Sequence, residues 1–88
     1  MTFLEAMKAL RCYLPEDSAI RFPIIPRMSL SQIEERIGNS VKIDPRPDGR
    51  VRVFFALDDG PAYVLGRVEE GNVFKTGSFH KADPRDLT

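Results

Sequence analysis

Between Val41 and Phe79, apolar and polar residues alternate in short runs separated by turn residues. This is the period of a β-strand, in which successive side chains point to opposite faces. Val51, Val53, Phe55 and Leu57 fall on one face of such a strand, and Arg52, Phe54 and Ala56 on the other. Asp58-Asp59-Gly60-Pro61 supplies turn chemistry and predicts a hairpin pairing Leu57 with Ala62, Phe55 with Val64, Val53 with Gly66 and Val51 with Val68. One side of that hairpin is entirely apolar or small, so it needs a helix to bury it. A second turn at Glu69-Glu70-Gly71-Asn72 permits a four-residue loop with Val68 opposite Val73 and Arg67 opposite Phe74, and leaves a register one step removed open. Upstream, matching the apolar faces sets Ile43 opposite Val51 and Val41 opposite Val53, which leaves Lys42 opposite Arg52.

The other face of this expected meander gathers Lys42, Arg52, Arg67 and Phe74 in one lateral row, with Phe54, Ala56, Tyr63 and Leu65 beside it. Like charges directly opposite each other destabilise a sheet unless something anionic or aromatic lies between or above them. Two explanations are open. Internal acids such as Asp44, Glu69, Glu70 or the C-terminal carboxylates fold over the row while the arginines stack on Phe74, or an anionic partner completes it.

Helical periodicity brackets the sheet on its N-terminal side. Thr2 and Glu5 fit a capping box, and Phe3, Met7, Leu10 and Leu14 form an apolar stripe that Ala6 widens, predicting a helix over residues 1–14 that stops before Pro15. Residues 15–28 read as a turn and an extended connector, within which Ala19–Phe22 fits a short edge strand limited by Pro23 and Pro26. Ser29 and Gln32 open a second helix over 29–38, with Leu30, Ile33 and Ile37 on its apolar line and Gly38 closing it. Residues 80–88 read as a polar tail. The expected architecture is a single α+β domain over residues 1–88: an N-terminal helix, a second short helix, then an antiparallel meander of three or four strands with the helices packed on one face.

Composition narrows the chemistry. A chain of 88 residues supports one modest core but not a core plus a large cleft. Its 13 basic residues cancel its 13 acidic ones, which counts against a dedicated nucleic-acid binder while leaving room for a local patch. Cys12 is the single cysteine, so one chain builds neither an internal disulfide nor a cysteine-based zinc site, and a reducing, cytoplasmic setting is expected. Glu5, Lys8 and Arg11 interrupt the N-terminal apolar pattern, which fits neither a signal peptide nor a membrane span.

No residue set carries a catalytic motif. His80 is the lone histidine, and the acidic pairs Glu34-Glu35, Asp58-Asp59 and Glu69-Glu70 have adjacent members that point in different directions. The glycines are spaced like strand punctuation and not like a phosphate-binding loop. No catalytic residue, metal ligand or cofactor is therefore assigned. The expected function is a small non-enzymatic intracellular module that binds another protein, as a regulator or inhibitor, through Lys42, Arg52, Phe54, Tyr63, Leu65, Arg67 and Phe74. A first alternative is RNA or single-stranded nucleic acid on the same basic and aromatic face. A second is a metal-independent ribonuclease with Lys42, Arg52 and Arg67 holding phosphate, Glu69 as base and His80 as acid. Edge strands near Ile20 or Phe74 would also suit a homodimer by strand addition, though nothing demands one.

Overall fold

The computed structural model describes residues 3–22, 35, 41–57 and 60–87. Chain order is α1 (Phe3–Arg11), β1 (Ala19–Arg21), β2 (Val41–Pro45), β3 (Val51–Leu57), β4 (Gly60–Glu69), β5 (Val73–Thr76), β6 (His80–Lys81) and a 3-10 turn at Pro84–Leu87. The strands lie side by side as β1-β5-β4-β3-β2, and β6 pairs with the part of β4 that β5 leaves free. Because β1 runs parallel to β5, the sheet is mixed, where an antiparallel meander was expected. The fold class is α+β with one α-helix among the described residues. The second helix expected over 29–38 lies outside them, apart from Glu35, which is helical.

The inner face of the sheet is the core. Val51, Val53 and Phe55 of β3, Val64 of β4 and Phe74 of β5 are buried together with Leu10 of α1, and Met7, Leu14, Ile20, Ile43, Val68 and Phe79 pack around them. The helix reaches this face because Ala6 and Leu10 lie four apart, on one side of a 3.6-residue turn. Phe79 meets Phe55 edge to face with ring centroids 5.6 Å apart.

Two of the expected registers slide by two residues and the third takes the one-step alternative, each for a local cause. In the β3–β4 hairpin Gly60 and Pro61 enter the strand, giving Leu57 opposite Gly60, Phe55 opposite Ala62 and Val53 opposite Val64. The slide is two residues, so each side chain keeps its face. Between β2 and β3 the slide is again two: the strand runs through Asp44 and Pro45, putting Ile43 opposite Val53, Lys42 opposite Phe54 and Asp44 opposite Arg52. Among the described residues β2 pairs only with β3, and a proline with no N–H to donate fits such a strand. The turn that follows closes through Arg46 N–H to Arg50 O (2.7 Å), with Gly49 at φ 86°.

The β4–β5 turn is shorter by one. Gly71 (φ 80°) and Asn72 (φ 56°) both take left-handed backbone, which glycine adopts freely and asparagine tolerates. Three residues then suffice, and Glu69 pairs with Val73. A one-residue slip exchanges faces, so Phe74 moves from its expected outer position to the inner face opposite Val68, where it is fully buried, and Lys75 takes the outer place opposite Arg67. Phe74 fits because Gly66 has no side chain: a Cβ there would lie 2.8 and 2.9 Å from its two ring Cε atoms and closer still to Cζ.

The C-terminal residues do not form the expected tail. His80 and Lys81 pair with Tyr63 and Ala62, Ala82 N–H donates to Pro61 O at 3.1 Å, and the 3-10 turn lies against β3 and β4.

Candidate partner-binding surface

On the outer face, alternation and register place Lys42, Phe54, Tyr63 and His80 in one lateral row. Phe54 and Tyr63 rings lie 5.4 Å apart, and Tyr63 and His80 rings 5.3 Å apart. Phe54 is nonetheless 2% exposed, which withdraws it from any surface. Together with the burial of Phe74, this removes both phenylalanines from the expected contact set and leaves Tyr63 and Leu65, each half-buried, as its apolar members.

The adjacent row holds Asp44, Arg52 and Leu65. Arg52 Nε and Nη2 both donate to Asp44 Oδ2, at 2.9 and 2.6 Å, and Arg46 Nη1 reaches the same oxygen at 3.4 Å. The Arg52 hydrogen bonds hold the Asp44 carboxyl below its ordinary 3.8; partial burial opposes this, and Arg46 adds to it. The Arg52 guanidinium also lies 5.0 Å from the Phe54 ring centre and 5.8 Å from that of Tyr63. Arg52 is thus satisfied inside the molecule, as the internal-acid explanation requires, with Phe54 and Tyr63 serving where Phe74 was expected.

A different row gathers cations in excess of the carboxylates beside them. Arg67 of β4 stands opposite Lys75 of β5, and Lys75 stands opposite Arg21 of β1, so three exposed cations lie side by side on three adjacent strands. One step beyond the Val51–Gly66 pair, Arg50 continues this line beside Arg67. Two carboxylates accompany the four cations. Glu69 lies 3.8 Å from Arg67 and 3.9 Å from Lys75, at the long limit of ion pairing, and Asp48 holds Arg50 with Nε 2.7 Å from its Oδ2. Arg21 has no ion-pair partner among the described residues. Arg50, Leu65, Arg67, Glu69, Lys75 and Gly77 line an open depression of about 320 Å³.

Of the expected site residues, Arg67 lies in this line, Leu65 flanks it, Tyr63 and Lys42 lie in the aromatic row beyond, with Lys42 exposed at its far end, and Arg52 is turned to Asp44. Lys75, Arg21 and Arg50 were missed. For Lys75 the signal was the short Gly71-Asn72 turn, which sets it opposite Arg67; Arg50 follows from the two-residue slide of the β3–β4 hairpin, and Arg21 from a long-range strand pairing with no local signal. The ribonuclease set does not assemble. His80 pairs with Tyr63 while Glu69 is six positions further along the same strand, about 20 Å away at a strand's rise, too far for one acid and base to share a phosphate.

Among the described residues no group of three His, Cys, Asp or Glu side chains could hold a metal ion, and no helix is long and apolar enough to cross a membrane. Comparison with protein-family models, with curated proteins and with solved structures returns no match to this chain.

Proposed function

We propose that this chain is a small non-enzymatic module that binds another protein, as a regulator or inhibitor, through the outer face of its sheet. One observation carries the reading: Arg21, Lys75 and Arg67 stand directly opposite one another on neighbouring strands, with only Glu69 close to two of them. Like charges so placed cost stability. The core needs none of the three, since all are exposed on the face away from it. A bound partner that supplies opposite charge accounts for the arrangement, with Leu65 adding apolar contact at its margin and Tyr63 in the row beyond.

The test is co-purification of the tagged chain from its source cells, followed by identification of retained proteins, against a chain carrying Arg21→Glu and Arg67→Glu. Those two changes flank Lys75 with carboxylates, so the cross-strand charges become complementary and folding is kept while the surface sign is reversed. A specific protein held by the natural chain and lost from the variant, at unchanged thermal midpoint, supports the reading. The same protein held equally by both rejects it.

The nucleic-acid reading has one observation of its own, the Tyr63–His80 ring pair with exposed Lys42 in the same row. It predicts affinity for single-stranded RNA that falls steeply as salt rises. Binding that is absent at low salt removes it.

A further inference from the structure

We infer that the depression between Arg50, Arg67 and Lys75 is a seat for a carboxylate of an acidic peptide segment, and that Glu69 occupies its edge as an internal stand-in. This rests on the protein-binding reading above and names the chemistry of the partner.

Four observations converge. The depression is bounded by three cations from three places in the sheet, the end of the β2–β3 turn, β4 and β5. Glu69 reaches two of those cations at 3.8 and 3.9 Å, near enough to feel them but too far for short, directed hydrogen bonds. Both sides of this contact are substantially solvated, with the Arg67 side chain 69% exposed and that of Glu69 40%, so the internal pair is weak and exchangeable. A volume of about 320 Å³ has room for a carboxylate side chain with its hydration.

Charge pattern selects a peptide over a nucleic acid. Asp48 and Glu69 are interspersed among Arg50, Arg67 and Lys75, so a ligand with a charge at every repeat would meet repulsion from these two carboxylates. A peptide with separated carboxylates avoids those positions. The zero net charge of the chain agrees, since it provides no long-range field for a polyanion.

The stand-in role makes an unusual demand: removing a charge from the site must improve binding. The experiment measures fluorescence anisotropy of a labelled peptide of repeating Glu-Gly-Ser units, whose carboxylates are separated, at low ionic strength, with the full chain and its Glu69→Gln, Glu70→Gln and Lys75→Gln variants. Glu70 is exposed in the neighbouring turn and does not line the depression, so it controls for net charge alone. Glu69→Gln should tighten binding by about two- to fivefold, Glu70→Gln should leave it nearly unchanged, and Lys75→Gln should weaken it by a similar factor. Equal tightening by both glutamine variants of the glutamates would overturn the seat and leave the protein-binding face standing. No binding by any variant, together with retention of the cellular partner by the Arg21→Glu, Arg67→Glu chain, would overturn both. Tighter binding of a labelled oligouridylate than of the peptide overturns the peptide assignment in favour of nucleic acid.

Discussion

Asp44 stands directly opposite Arg52 across β2 and β3, and one of its carboxylate oxygens takes two hydrogen bonds from the guanidinium, at 2.9 and 2.6 Å. The pair also holds Arg52 over the rings of Phe54 and Tyr63. Its side chains are 31% and 28% exposed, so water and salt weaken it. Asp44→Asn should cost about 0.5–1.5 kcal/mol, measured by denaturant unfolding at neutral pH.

The same pair sets an acid dependence. The Arg52 hydrogen bonds, helped by Arg46 and opposed by partial burial, keep the folded Asp44 carboxyl below 3.8, its ordinary value and that of the unfolded chain. Its contribution is therefore complete above that value and is lost as pH falls through the lower folded one. Unfolding free energy followed downward from pH 5 should fall more steeply for the natural chain than for Asp44→Asn. Parallel curves would mean that Asp44 is not held this way.

Gly66 and Phe74 form a second coupled pair. A methyl group at Gly66 would meet the Phe74 ring at 2.9 Å or less, in a core where Phe74 is fully buried. Gly66→Ala should destabilise by about 1–3 kcal/mol, and adding Phe74→Leu should recover part of that loss. Independent, additive costs in a double-mutant cycle would contradict the contact.

Phe74 also reports on the β4–β5 register. In its observed place on the inner face, Phe74→Ala should cost about 3–5 kcal/mol and lower the thermal midpoint sharply. A surface position would leave the midpoint almost unmoved.

Much of this fold was legible in the alternation of Val51, Val53, Phe55 and Leu57 and in the four-residue step from Ala6 to Leu10. Those patterns identify which face of an element is buried, and that assignment survives a two-residue slide. What they do not encode is how far a turn extends. Pro45 and Pro61 read as turn residues but sit within strands, and that slide changed the neighbour of Arg52 from Lys42 to Asp44. The candidate site was more sensitive, because it depends on which side chain is opposite which. A turn shorter by a single residue, closed by Glu69 opposite Val73, buried Phe74 and brought Lys75 beside Arg67. The parallel pairing of β1 with β5, which adds Arg21 to that line, joins segments more than fifty residues apart and leaves no trace in local periodicity.

The central claim is that Arg21, Lys75 and Arg67 are aligned for a partner and not for the fold. Lys75→Gln tests it most directly, by measuring unfolding free energy and acidic-peptide affinity on the same preparation. Stability is expected within about 0.5 kcal/mol of the natural chain or slightly above it, with affinity reduced severalfold. A clear loss of stability with affinity intact would contradict the claim and make Lys75 a structural residue.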